Sequence, residues 1–283
     1  MTKDTVITLL KSTGFSRFFN SYRRWEDDRT CERFECGIGD ILLIRDTPSH
    51  NQLLLTSRLM DVEDYLNSKD KSFPRQNAIS YKAYGESHRE EEGNQKFRDL
   101  IESYIKDGYH EDSFITCDKG MNLLDGNHRM GIHIHQGIEK VNVRRIHRRI
   151  SFERGGDWYY RVGLESSFMD SIYNRFYDIQ KWLIESGNTF CISVRGGDKD
   201  LNDIENDVRH LCHVLKTEKK GSSVLIQFSM FDPEYTVQNN KLISLRAKRI
   251  GEIITARQSG NIVSTVSLNC LEGKQIFTDF NNE

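Results

Sequence analysis

A short run in the middle of the chain, Leu124-Asp125-Gly126-Asn127-His128-Arg129, sets a carboxylate, an imidazole and a guanidinium around one glycine. The residues before it read as a strand and those after it as a helix. Gly126 would then stand at a sharp turn where a ligand can approach the backbone. The first amides of such a helix have no partner within it, and together with the helix dipole they favour a phosphate. Arg129 can fork onto phosphate oxygens, and His128 can donate to a phosphate or shuttle a proton. Asp125 can act as a base, hold a magnesium-bound nucleotide or cap the helix. The same letters also fit a plain turn with an Asp cap and a surface His-Arg pair, and spacing does not separate the two.

Other clusters carry less. His128, His133 and His135 lie close together, but on one helix 128 and 135 share a face while 133 points elsewhere, which argues against a three-histidine metal site. His133 is expected at the surface and His135 near the loop. Cys31 and Cys36 lack partner ligands for zinc. Val194-Arg195-Gly196-Gly197-Asp198 reads as a strand-to-helix turn capped by Asp198 or Asn202, or as a second anion loop. It faintly resembles the Arg-Gly-Asp-type loop of some sugar-nucleotide transferases. Trp158, Tyr159 and Tyr160 could stack on a sugar or base, or seal a domain junction. The run Arg144-Arg145-Ile146-His147-Arg148-Arg149 is dense enough for a local basic patch, although it also fits a solvated strand end.

The elements that must position the central run follow from periodicity. Residues 4–22 suit one or two short helices, Ile41–Ile44 a strand, and Leu53–Thr56 a strand paired with it as a hairpin. Asp61–Leu66 reads as a helical turn. Residues 94–107 form the clearest helix of this half, capped by Gly108. Phe114–Cys117 is a strand, Asp118–Gly120 a turn, Met121–Leu124 the return strand, and a helix then runs through Gln136 to Gly137. Val141–Ile146 is a strand. Beyond a junction around 152–163 come a helix over 168–186, a strand over 189–194, a helix over 201–216, a strand over 223–228, a helix over 241–257 and a strand over 262–268. That alternation predicts a small, partly parallel α/β layer. Asn67–Arg75, Glu86–Gly93 and the tail after Thr278 are the expected flexible pieces.

The expected fold is therefore α+β for residues 1–155, with a small mixed sheet backed by helices, followed by a smaller α/β domain over 160–283. At 283 residues, 37% hydrophobic and 29% charged, the chain can bury a sizeable core. A net charge of -2 gives no global pull toward nucleic acid, so a small-molecule partner is favoured, with Arg144–Arg149 the feature pointing the other way. No apolar run suits a signal peptide or a bilayer span, and the six scattered cysteines show no C-x-x-C pair. Reduced thiols and a cytoplasmic location are expected, with no membrane partner.

The ordered set of a helix ending in glycine (Phe97–Gly108), a strand hairpin (Phe114–Leu124), an Asp-Gly-x-His-Arg loop (Asp125–Arg129) and a following helix (Met130–Gly137) resembles the ParB/sulfiredoxin-like fold family over residues 53–147. The run Leu100–Tyr109 also looks like that family's helix. The branches of the family are ATP- or ADP-dependent kinases of free serine, chromosome-partition proteins that bind CTP and DNA, and sulfiredoxins; related domains occur in polysaccharide gene clusters. Their shared element is a nucleotide phosphate on this loop. The chain lacks the Gly-Glu-Arg-Arg signature of the partition proteins, and Asn127 stands where sulfiredoxins have cysteine, which points to the kinase branch. That likeness implies a phosphotransferase using ATP or ADP and Mg2+. Phosphates would rest on Gly126, Asn127, His128 and Arg129, with Asp125 at the metal and Asp125, His128 and an upstream glutamate in catalysis. Glu63, Glu86 and Glu90 are candidates for that glutamate, and Glu86 is preferred for its place before the motif-bearing helix. The acceptor would be a hydroxyl of a small metabolite or sugar. Alternatives are a ParB-like nucleotide-binding, DNA-associated or regulatory protein, and a glycan-pathway transferase that uses the C-terminal half.

Overall fold

The computed structural model describes residues 31–42, 44, 47–73, 90–110, 112–150, 157, 166–257 and 262–283. The first half contains β1 (Glu32–Gly37), α1 (Ile38–Leu42), α2 (His50–Asn67), α3 (Glu90–Asp107), β2 (Ile115–Cys117), β3 (Leu123–Asp125), α4 (Asn127–His135) and β4 (Lys140–Arg145). The second contains α5 (Ser166–Glu185), β5 (Phe190–Arg195), α6 (Asp198–Leu211), β6 (His213–Lys220), β7 (Ser223–Ser229), β8 (Tyr235–Gln238), β9 (Lys241–Ser244), α7 (Leu245–Arg257), β10 (Val263–Val266) and α8 (Cys270–Asn282). The architecture is mixed α+β. One sheet has the order β3-β2-β4-β1-β9-β8, with β2–β4 and β1–β9 parallel and its other pairs antiparallel. A second sheet, β10-β5-β7-β6, is antiparallel throughout.

The expected hairpin of Ile41–Ile44 and Leu53–Thr56 is instead helical: Ile41 and Leu42 end α1, and Leu53–Thr56 lie inside α2. Ser49 starts α2 with a capping box. Its Oγ accepts from the Gln52 amide, and the Gln52 side chain accepts from the Ser49 amide at 3.0 Å. Positions 53–62 are all buried, because α2 packs on α4 and on α5. A helix buried around most of its circumference shows no clean 3.6-residue stripe, and the run Leu53-Leu54-Leu55-Thr56 within it reads like a buried strand.

The C-terminal layer also departs from expectation. The helix predicted over 201–216 ends at Leu211, and 213–220 is β6. Gly221 (φ 55°) and Ser222 join β6 directly to β7, and a two-residue turn permits only antiparallel pairing. The helix predicted over 241–257 begins with β9. The tail is not loose: α8 carries Phe280, 3% exposed, into a cluster with Cys191 and Leu225. Within Asn67–Arg75, the ring of Phe73 stacks between Tyr65 and Phe97 at 5.1 and 5.3 Å. Residues 4–22 and 74–89 lie outside the described residues, as does most of the stretch 151–165, where the domain boundary is expected.

Contacts cross that boundary. The hairpin β8–β9 extends the first sheet beside β1, with Glu35 opposite Lys241. One apolar cluster holds Phe34, Met130 and Val143 together with Phe190, Phe228 and Leu242. Arg145, 3% exposed, donates to the carbonyls of Lys119 and Tyr235, each at 2.7 Å, and to Glu32 at 3.0 Å. Asp40 is wholly buried and accepts from the Tyr235 hydroxyl at 2.8 Å and from the amides of Cys270 (3.1 Å) and Gly37 (3.2 Å).

Burial pushes the Asp40 carboxyl up to about 6, against the hydrogen bonds from Tyr235, Cys270 and Gly37 that favour its charged form. The folded chain therefore holds a proton there that the unfolded chain has released. Its contribution is full below the ordinary carboxylate range and is lost as pH rises through about 6. In urea denaturation, the stability of the wild type relative to Asp40→Asn should fall by up to about 3 kcal/mol from about pH 4 to 7. A difference that stays constant with pH would contradict this.

Candidate functional site

The central run is shaped by an irregularity in the sheet. Cys117 pairs with Leu123 and Thr116 with Asp125, so Leu124 is an extra residue, a β-bulge. The bulge puts Asp125 on the same face as Thr116, opposite the face where Cys117 and Leu123 enter the core. The Asp125 side chain is 50% exposed there. Gly126 follows with φ 104° and ψ 18°, and a Cβ at this position would lie 2.8 Å from Ile115 Cδ1. The conformation is one that glycine adopts freely and L side chains rarely do, and a Cβ would also push the tip of Ile115 aside. Two other ties hold the turn's base: Asn51 Nδ2 donates to the Leu123 carbonyl at 2.5 Å, and the buried Asp118 carboxylate accepts from the amides of Gly120 and Asn122 at 2.8 Å.

α4 opens at Asn127, and the Met130 amide donates to the Gly126 carbonyl at 2.8 Å. Its N-cap is Gly126 with no side-chain cap bond, so of the three roles open to Asp125 the capping role is not taken. Gly131 lets α4 approach α2 closely: a Cβ there would stand 3.0 Å from the backbone of Arg58 and Leu59. Arg58, 5% exposed, is thereby set near the first turn of α4. Its Nη1 lies 3.1 Å from Asp61, and its guanidinium sits 5.9 Å from the centre of the Phe97 ring. The His128 ring meets the same Phe97 edge-on at 4.4 Å.

His128 Nε2 and Asn127 Oδ1 are both buried and find no hydrogen-bond partner among the described residues. Burial, then the charges of Arg58 and Arg129, hold the His128 imidazole well below its ordinary range, so it is neutral near pH 7. Arg129 is partly engaged. Its Nη1 donates to the Phe114 carbonyl at 2.7 Å and to Ser113 Oγ at 3.0 Å, while Nη2 stands 3.8 Å from Asp125. Asp125, Gly126, Asn127, His128 and Arg129 thus lie on one turn between β3 and the start of α4. Arg58 was not foreseen. The signal available was a charged pair three residues apart, Arg58 and Asp61, flanking Leu59 and Met60.

The other expectations fare unevenly. Glu86 lies outside the described residues, and Glu90 is described in its backbone alone. Glu63 is held by Arg175 of α5. The expected places of His133 and His135 are reversed. His133 is fully buried and shares a 3.2 Å hydrogen bond with the Tyr104 hydroxyl, whereas His135 is exposed. Position 133 faces α3 because the Gly131 approach turns that side of α4 inward. His133 Nδ1 also lacks a partner, but it is packed among Tyr104 and Tyr109 rather than at a helix start. Among the described residues no group of three His, Cys, Asp or Glu side chains could hold a metal. Arg195 bonds Ser223 and Glu283, and Gly197 caps α6 without a side-chain bond. Trp158, Tyr159 and Tyr160 lie outside the described residues. Of the basic run, Arg145 is internal, Arg149 forks onto Asp232 at 2.8 and 2.9 Å, and Arg144 donates to Thr116 at 3.0 Å.

Two predictions follow from this geometry. Gly126→Ala should cost roughly 1–3 kcal/mol of stability in denaturant titration, more than Gly137→Ala, where φ is also positive but a Cβ meets nothing. Burial and Arg129 lower the His133 imidazole to about 4, so its contribution is present above the ordinary histidine value and lost as pH falls through about 4. The stability of the wild type relative to His133→Phe should therefore shrink by up to about 3 kcal/mol between about pH 7 and 4. No described helix is long and apolar enough to cross a membrane. Comparison of the chain with protein-family models, with curated proteins and with solved structures finds no match.

Proposed function

We propose that the chain is a nucleotide-dependent kinase that seats the phosphates of ATP or ADP at the first turn of α4 and passes a phosphoryl group to a hydroxyl of a small metabolite or sugar. The observation that carries this reading is a pair of buried atoms on that turn, His128 Nε2 and Asn127 Oδ1, that have no hydrogen-bond partner among the described residues. Buried polar atoms in folded proteins are nearly always hydrogen-bonded, so an exception calls for a partner beyond the described residues, and a bound ligand would supply it. Here the surroundings select it. Arg58 and Arg129 both bear on His128, and the positive end of α4 adds to their field. A phosphate oxygen would accept from His128, and a substrate hydroxyl would donate to Asn127. The resemblance of the Asp-Gly-x-His-Arg loop to nucleotide-binding relatives points the same way.

Within that reading Arg58, Arg129 and the amides of Asn127–Arg129 would neutralise charge on the transferred group. Asp125 is half exposed, carried on the outer face by the bulge and 3.8 Å from Arg129. It suits Mg2+, which is usually held by one or two carboxylates with the remaining positions on phosphates and water. Asp125 would hold the metal, which when bound would supply positive charge against that of the phosphates. Asp125 or Glu86 would take the proton of the acceptor hydroxyl. The DNA-associated reading draws less support, because Arg145 and Arg149 are engaged within the chain. The C-terminal transferase reading draws less as well, since Arg195 is tied to Ser223 and Glu283.

Titration calorimetry with ADP and with ATP in Mg2+, followed by phosphoryl transfer to a pooled set of hydroxylated metabolites, tests the proposal. His128→Ala and Asp125→Ala should each lower turnover by about 100-fold or more, and His128→Ala should also weaken nucleotide binding. Asp125→Ala should leave the melting temperature near that of the wild type, because the side chain is half exposed. Absence of nucleotide binding at millimolar concentration would exclude the kinase, and full turnover in both variants would exclude this turn as its site.

A further inference from the structure

Buried polar atoms without a hydrogen-bond partner among the described residues lie on both sides of the contact between α3 and the first turn of α4. On α4 they are His128 Nε2 and Asn127 Oδ1, and on α3 they are Asn94 Oδ1 and Arg98 Nε. Positions 94 and 98 are four apart on a continuous helix, so their side chains are neighbours on one face. Phe97, on the flank of that face, meets the His128 ring edge-on at 4.4 Å. Asn94 stands three residues before Phe97, a rise of about 4.5 Å. The α3 pair therefore lies beside the turn that carries His128, displaced along the axis of α3. Arg98 is oriented by weak contacts. Its guanidinium lies 5.6 Å from the centre of the Phe73 ring, and Nη1 reaches Gln95 Oε1 at 3.4 Å. Glu102, one turn further along α3, accepts from the Tyr65 hydroxyl at 2.8 Å.

We infer that the ligand seated at the first turn of α4 continues onto α3, where Asn94 and Arg98 read the edge of its nucleobase. The inference rests on the kinase reading for the nucleotide and adds which side chains recognise the base. Arg98 Nε–H is a donor and Asn94 Oδ1 an acceptor. A phosphate offers acceptors alone, so it would leave Asn94 Oδ1 unmatched. A base edge sets an acceptor beside a donor: the ring nitrogen and amino group of adenine or cytosine, the carbonyl and ring N–H of guanine or uracil. These edges differ in shape and spacing. Two atoms fixed on one helix face cannot match all of them equally, and a base that fits poorly leaves a buried polar atom unpaired. The α3 pair thus makes the site selective among bases, while the phosphates stay on α4.

The test compares ATP, GTP, CTP, UTP and inorganic tripolyphosphate, each titrated with Mg2+ into the full-length chain by calorimetry. One nucleotide should bind about tenfold or more tightly than tripolyphosphate and than the weakest of the other three. Asn94→Leu with Arg98→Lys removes the acceptor and the Nε donor but keeps the positive charge. In that variant the preferred nucleotide should fall to the tripolyphosphate level. Tripolyphosphate itself should bind as it does to the wild type, which also shows that the variant is folded. Equal affinity for all four nucleotides, or for nucleotides and tripolyphosphate, overturns the inference and leaves the phosphate seat on α4 standing. A base preference that survives both substitutions, with a lowered melting temperature, assigns the two atoms to partners within the chain and also overturns it. If neither tripolyphosphate nor any nucleotide binds, the kinase reading fails and the inference falls with it.

Discussion

The close approach of α4 to α2 governs the rest of the structure. At Gly131 the two backbones come near enough that a single methyl would press on the chain at Arg58 and Leu59. Filling such a contact typically costs about 1–3 kcal/mol, because the interior is already packed to near-crystal density. That contact sets the rotation of α4. It turns His133 into the aromatic cluster of α3, leaves His135 outside, and brings His128 and Arg129 to the end of the helix where β3 delivers the chain. It also brings Arg58, a residue of another helix, into the field of His128.

The turn at Gly126 therefore combines two kinds of group. Some are satisfied within the chain: Arg129 is braced by Phe114 and Ser113, and Arg58 by Asp61. Others are left open, His128 Nε2 and Asn127 Oδ1. Bracing a guanidinium before a ligand arrives lowers the ordering cost when it does, and charge interactions at such a partly desolvated site are stronger than in water. Burial, and then two nearby cations, keep the His128 imidazole neutral, so an anion at the turn would favour its protonation.

How much of this was legible in the sequence depends on which physical signal each part leaves. The α3 helix, its glycine cap, the β2–β3 hairpin and the start of α4 were all readable, because each is set by local periodicity or turn chemistry. Arg129 and His128 were placed at the helix start for the same reason. α2 was misread although its capping box, Ser49 to Gln52, was there to be seen; the unbroken apolar run after it outweighed the cap. Asp125 facing outward rested on a bulge at Leu124, and no residue type announces a bulge of this kind. The antiparallel second sheet turns on Gly221, which lies in a charged stretch beyond the helix expected over 201–216.

The hairpin of β8 and β9 has a further consequence for how the chain acquires its shape. It supplies the strand beside β1, the carbonyl that receives Arg145 and the hydroxyl that meets Asp40, yet it is made more than 80 residues after β4. During synthesis, which proceeds from the amino end at roughly 5–20 residues per second, the loop-bearing sheet must wait several seconds for its last neighbours. Until then one flank of β1 offers unpaired backbone groups, and a cation and a carboxylate are denied the partners that permit their burial. The nascent chain is thus most exposed to mispairing in the interval between the emergence of the Gly126 turn and the arrival of Tyr235.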